Sequence, residues 1–266
     1  VPHDAALQPV SDAPLLSVRG IAKRFGALTA LTGVDLDIRA GEVLALLGDN
    51  GAGKSTFVKI LAGAQPQTEG EIRIDDAPIS FASPQDAAAA GIATIFQELA
   101  LSENLSIAEN VFLGRELVRR VAGIPFLQRR AMKQRVVTLL TELDAHISDP
   151  EAPVGSLSGG QRQAVAICRA LNVNARLVIM DEPTAALAVA ETRKVLALTR
   201  RLAERGCAVV LVSHNIADVF EVADRMVVFR RGRKIAERQR DATNPEEIVS
   251  FITGAHPDLR TLETIS

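Results

Sequence analysis

Two stretches of this chain place glycine, lysine and carboxylate residues at the spacings that phosphate chemistry needs. Gly48-Asp49-Asn50-Gly51-Ala52-Gly53-Lys54-Ser55 has the pattern G-x-x-x-x-G-K-S, between a continuous apolar run at 43–47 and a helical stretch at 55–62. Glycines let a backbone close around phosphates, and successive N–H groups then point inward as an anion nest. The helix that follows adds the positive end of its dipole. In such a loop Lys54 is expected to hold the β- and γ-phosphates of a nucleotide, and the Ser55 hydroxyl to ligate Mg2+. Gly48, Asn50, Gly51, Ala52, Gly53 and Thr56 complete the expected nucleotide contacts. The second stretch is Leu177-Val178-Ile179-Met180-Asp181-Glu182, an apolar strand that ends in two carboxylates. Open α/β sheets bind ligands at that end of a strand. Asp181 is expected to hold Mg2+, and Glu182 to orient the attacking water or accept its proton. Alone, such a run also describes a strand entering a solvated turn; the phosphate loop upstream favours the chemical reading.

The elements that must position these residues are legible in outline. Short apolar runs at 15–18, 31–38, 42–47, 71–74, 92–95, 177–180, 208–212 and 226–229 predict strands, and 55–62, 190–205 and 216–222 predict helices. The 31–38 run alternates, as a half-exposed antiparallel strand does. The runs at 43–47, 177–180 and 208–212 are continuously apolar, which suits strands covered on both faces of a parallel sheet. Strand–helix alternation predicts an α/β fold. Between 102 and 153 strand signals fade, and 129–143 carries a helical apolar pattern (Met132, Val136, Leu139, Leu140, Leu143). This middle part is expected to be a mostly helical insertion, about 102–170. The alanine run at 87–90 fits a helix.

Composition narrows the classes. The 266 residues are 47% apolar with no Trp or Tyr, so the core must be aliphatic. The formal charge of −2 argues against a broad nucleic-acid-binding face. Cys168 and Cys207 have no partners at metal-like spacing and read as reduced, buried thiols of a cytosolic chain. No stretch is long and apolar enough to span a bilayer, and the start shows no secretory pattern. The chain is therefore expected to be soluble and to reach any membrane through a partner. Residues 1–14 read as a flexible leader with three prolines, and 255–266 as a polar tail.

A third motif, Leu157-Ser158-Gly159-Gly160-Gln161, precedes a helical stretch at 162–171. Physically it reads as a helix start with Ser158 as the cap. It also resembles the signature of the ATP-binding subunits of ABC transporters, and it lies upstream of the Asp-Glu strand as in that family. The resemblance implies a P-loop NTPase core with an N-terminal antiparallel β-subdomain and a helical signature subdomain, as one ATPase domain over 15–254. It implies that Ser158, Gly159, Gly160 and Gln161 contact an ATP held by the other subunit of a head-to-tail homodimer. Phe25 falls where the family stacks an aromatic on adenine, Gln97 on the glutamine that touches Mg2+ and the attacking water, and His214 on the histidine that contacts the γ-phosphate. After Thr184 the general family pattern ends in Asp, whereas this chain has Ala188, which removes a side-chain contact expected between subunits.

The resemblance is closest to ATPases of bacterial monosaccharide importers of the ribose, xylose and fructose type. It rests on Gln97-Glu98-Leu99, the segment 104–114 (NLSIAENVFLG), 181–187, Ser213-His214-Asn215 and Ile252-Thr253-Gly254. What it implies is a cytoplasmic subunit peripheral to the inner membrane, docked on an integral-membrane permease and, through it, served by a periplasmic solute-binding protein. A ribosome- or DNA-acting ABC protein and an exporter ATPase are the competing classes. The first usually brings a second cassette, long insertions or basic surfaces, and the second brings fused membrane spans.

Overall fold

The computed structural model describes residues 13–258 apart from Ala122, Ser148 and Ala186. Most of the leader and most of the tail therefore lie outside the described residues. The chain opens with β1 (Leu16–Phe25) and β2 (Leu28–Ile38), then β3 (Val43–Gly48), α1 (Lys54–Leu61), β4 (Glu69–Ile74), β5 (Ala77–Ile79), α2 (Pro84–Ala89) and β6 (Ile92–Ile95). The middle holds α3 (Ile107–Phe112), β7 (Val118–Val121), β8 (Ile124–Leu127), α4 (Arg129–Glu142) and α5 (Gly159–Asn172). It closes with β9 (Leu177–Asp181), α6 (Val189–Glu204), β10 (Ala208–Val212), α7 (Ile216–Val222), β11 (Arg225–Arg230), β12 (Arg233–Gln239) and α8 (Pro245–Thr253).

Two larger sheets result. An antiparallel sheet has the order β2-β1-β4-β5, and a six-stranded sheet the order β12-β11-β3-β10-β9-β6. In the second, β11, β3, β10, β9 and β6 run parallel, and β12 is an antiparallel edge. Side chains alternate across a strand, and that alternation divides the interior in two. Leu44 and Leu46 of β3 join a core with α1 and the antiparallel sheet, through Phe57, Ile60, Leu16 and Ile38. Val43, Ala45 and Leu47 of the same strand face the opposite core, built from α3, α4, α5 and α6. The continuous apolar runs are thus strands covered on both faces. Cys168 on α5 and Cys207 before β10 are free, buried thiols in the helical-side core.

One expectation fails in part. The middle segment is not free of strands: β7 and β8 form an antiparallel hairpin inside it. All its described residues are exposed, so no inside–outside alternation marks it in the sequence. Three further elements escaped the reading. β5 is only three residues long, β12 is a charged edge strand, and α8 begins at Pro245 after its cap Asn244. The start of the tail is docked: the His256 ring stacks on Phe251 at 3.9 Å between centroids. Among the described residues no helix is long and apolar enough to cross a membrane.

Candidate functional site

The topology brings three of the four chemical segments to one edge directly. β3, β10 and β9 are adjacent and parallel, with Val212 level with both Leu46 and Asp181. β6 continues the row, with Ile95 level with Met180. The loop after β3, Glu182 after β9, His214 after β10 and Gln97 after β6 therefore emerge from the same edge of one sheet, the edge at which such sheets bind ligands.

The loop after β3 is shaped by its glycines. Gly48 has φ 144°, and a Cβ there would sit 2.2 Å from the Phe229 carbonyl oxygen. Gly53 has φ 105°, with Leu31 2.7 Å from a hypothetical Cβ. Both positions need glycine for backbone angle and for space. Gly53 heads α1 without any side-chain cap, so the N–H groups of the first turn, which have no intrahelical acceptor, remain available. Lys54 folds back over the loop and donates to the carbonyls of Gly48 at 2.6 Å and Asp49 at 3.0 Å. Burial pushes its ammonium pKa down, against the charges of Glu182, Asp49 and Asp181, which pull it up. Ser55 is exposed, Thr56 is half-buried and Ala52 is buried, its carbonyl accepting from Gly232 N–H at 3.0 Å.

Asp181 is half-buried at the end of β9. Burial raises its pKa, the neighbouring Glu182 charge raises it further, and Lys54 and Lys59 lower it. Lys54, Asp181 and Glu182 thus share one electrostatic neighbourhood. Glu182 is held in the left-handed region, φ 51°, uncommon for a side chain of its kind and a form of strain that recurs at functional sites. Its N–H donates to the Val212 carbonyl at 2.9 Å, which fixes the residue to the neighbouring strand. His214 Nδ1 lies 3.2 Å from Glu182 Oε1. A further tie went unread in the sequence: Thr184 Oγ1 donates to Asp218 Oδ2 at 2.8 Å, joining the loop after Glu182 to α7 after His214. Asp218 lies in the first turn of a helix capped by Asn215, where an acidic residue is already explained; only its burial marks it.

Gln97 is exposed and, with Glu182, Gly159 and Arg162, lines a cavity of about 370 Å3 between β6, the start of α5 and the loop after β9. Phe25 is 46% exposed, with Lys23 Nζ 5.1 Å from its ring centroid. It is a surface aromatic rather than a core one. It ends β1 opposite Leu28, and Ala30 and Leu31, next along β2, press against the phosphate loop at Gly53. Ser158 caps α5 in a reciprocal box with Gln161: the Gln161 N–H reaches the Ser158 hydroxyl at 3.4 Å, and the Ser158 N–H reaches Gln161 Oε1 at 3.0 Å. Ser158, Gly160 and Gln161 open toward a different cavity, beside His146 and Arg201. Among the described residues no hydrogen bond or ion pair joins them to the phosphate loop of their own chain.

Residues 31–185 match the family model described as ABC transporter. The chain is 46% identical over 239 residues to the xylose/arabinose import ATP-binding protein of Sulfolobus acidocaldarius, covering 90% of this chain and 94% of that protein. It is 48% identical over 246 residues to the fructose import ATP-binding protein of Rhizobium meliloti, covering 91% and 95%. Among solved structures, the dimeric post-hydrolysis state of an ATP-binding cassette bound to ADP and Pi superposes with TM-score 0.69 at 27% identity, covering 85% of this chain and 98% of that one. With the phosphate loop, the Asp-Glu strand and the capped signature helix in their places, the chain belongs to the ABC transporter family, as one of its ATP-binding, ATP-hydrolysing subunits.

Proposed function

We propose that this subunit powers the uptake of a monosaccharide through a partner permease, as a homodimer that closes on two ATP molecules. The observation that carries this reading is the similarity, over nine-tenths of the chain, to two proteins named as sugar-import ATP-binding subunits. The subunit would lie on the cytoplasmic face of the membrane that holds the permease, with a periplasmic binding protein delivering the solute.

The residues fit that chemistry. The loop of Gly48, Asn50, Gly51, Ala52, Gly53, Ser55 and Thr56 offers backbone N–H groups to phosphates, with Phe25 free to stack on the adenine. Lys54 exchanges its carbonyl partners for phosphate oxygens, a stronger charge-assisted pair. Ser55, Asp181 and Gln97 would hold Mg2+. Asp181 is a half-buried carboxylate whose ionisation burial disfavours, and no cluster of three or more His, Cys, Asp or Glu occurs among the described residues. That suits an ion completed by a hydroxyl and the substrate's own phosphates. When bound, Mg2+ supplies neutralisation of charge on the phosphates. Glu182, held by Val212 and steadied by His214, orients the attacking water and takes its proton. The signature residues Ser158, Gly159, Gly160 and Gln161 act on the nucleotide of the second subunit, a reading supported by Ser158, Gly160 and Gln161 opening toward a cavity away from their own phosphate loop.

The test is capture of Glu182→Gln with ATP from detergent-solubilised native membranes. The variant is expected to bind ATP, stay dimeric and turn over about a hundredfold to ten-thousandfold more slowly. A stoichiometric permease with a sugar-binding protein supports import. Ribosomes, DNA or no membrane partner refute import and leave the ATPase standing. Near wild-type turnover refutes the role of Glu182.

A further inference from the structure

Every described residue of 113–130 is exposed, and at the centre of this stretch β7 and β8 pair with each other and with no other sheet. Isolated two-stranded hairpins are marginal in water, and this one is unusually apolar. Seven of the thirteen large apolar side chains exposed among the described residues lie within 113–127, including Ile124 at 59% and Phe126 at 54%. The register pairs Val118 with Leu127, Arg119 with Phe126, Arg120 with Pro125 and Val121 with Ile124. Because side chains alternate along each strand, Val118, Leu127 and Pro125 stand on one face. Phe126, Val121 and Ile124 stand on the other. Each face is apolar apart from one arginine, Arg120 on the first and Arg119 on the second, and both are exposed.

The charge around the hairpin is one-sided. Residues 115–135 hold seven of the chain's 30 basic residues and one of its 32 acidic residues, a local charge of +6 in a chain of net −2. Arg129 pairs with Glu109 and Lys133 with Glu151. Arg115, Arg119, Arg120 and Arg130 have no ion-pair partner among the described residues.

We propose that the β7–β8 hairpin inserts into the headgroup region of an anionic bilayer, with both apolar faces immersed and its arginines on lipid phosphates. Apolar side chains on both faces suit an interface that can surround the protrusion. The cluster of arginines matches an anionic leaflet, and apolar side chains interleaved with them are what interfacial anchors carry. Such a contact would hold the subunit at the membrane independently of a permease and raise its effective concentration there. It does not rest on the solute being a sugar or on the ATPase chemistry.

The test is sedimentation of the full chain with vesicles of phosphatidylcholine, with and without phosphatidylglycerol. Binding is expected to be at least about tenfold tighter to the anionic vesicles and to weaken with salt. The double variant R119E/R120E is expected to lose about tenfold or more of it. Its ATP affinity, measured on the same preparation, should be unchanged, which separates this proposal from the nucleotide-binding reading. The chain has no Trp, so Phe126→Trp supplies a lone indole whose emission should shift to the blue on anionic vesicles. Equal sedimentation with both vesicle types, wild-type binding by R119E/R120E, or an unshifted Trp spectrum overturns the proposal. If the wild type ignores vesicles but R119E/R120E loses a permease in detergent, the surface docks on acidic protein and the proposal is likewise wrong.

Discussion

Lys54, Asp181 and Glu182 place one ammonium and two carboxylates in a partly buried space, and the nucleotide-free protein bears the cost. Asp181 shows its sign. Its native pKa is raised above the ordinary value of 3.8, by burial first and Glu182 second. Between 3.8 and that raised value the native state keeps a proton that the unfolded chain has released. Stability therefore falls as pH rises through this window, and the full cost persists above it. Asp181→Asn removes the cost. Scanning calorimetry of the nucleotide-free chain at neutral pH should show a midpoint higher by about 2–4 °C, with a flatter pH profile in the acid range. Mg2+-dependent hydrolysis should collapse in the same variant. A lowered midpoint would show that the carboxylate stabilises the fold. That Lys54, Asp181 and Glu182 come together was legible because their motifs adjoin strand ends, and parallel strands carry their ends to one edge, whereas His214 was singled out by the family resemblance alone. The Thr184–Asp218 bond was not legible, because it joins residues 34 apart whose local roles are already satisfied.

Most of the side-chain caps that start helices emerge only in the structure, Ser158 being the one that the sequence marks beforehand. Ser83, Ser106 and Ser158 each form a reciprocal capping box, and Asn215 and Asn244 cap α7 and α8. α6 is the contrast. Ala188 has the extended cap geometry, φ −67° and ψ 153°, but no side-chain bond, with Glu191 at the third helical position. Ala188→Asp should complete this cap and stabilise the isolated chain by about 0.5–2 kcal/mol in a urea titration. The same carboxylate restores the family's usual residue at a proposed subunit contact, so cooperativity of ATP hydrolysis should rise as well. A stability gain with an unchanged Hill coefficient would confine the residue's effect to the helix. Strand legibility followed burial. β6 and β10 were readable to the residue because both faces are covered, whereas β7, β8 and β12 were invisible because charge or exposure removes the pattern that burial writes into a strand.

At the scale of the molecule, a single buried cation gathers the sheets. Arg225 at the start of β11 is 3% exposed. It donates to Glu42 at 2.6 Å, to the Asp37 carbonyl at 2.5 Å and to Glu237, tying the ends of β2, β3, β11 and β12. Its partners lie up to 188 residues away, so no window of sequence reveals them. Arg225→Ala strands Glu42 in the interior and should cost about 3–5 kcal/mol in denaturant unfolding. A loss below about 1 kcal/mol would mean that water reaches the pair. The two thiols carry a different consequence. Cys168 and Cys207 sit in the helical-side core, where burial pushes each thiol up to about 12, so neither reacts with an alkylating reagent near neutral pH until that core opens. Their alkylation rate therefore times the loosening of the helical layer against the sheet, with no label to introduce. ATP added to Glu182→Gln should slow that clock, and an unchanged rate would show that nucleotide binding leaves the layer's opening untouched.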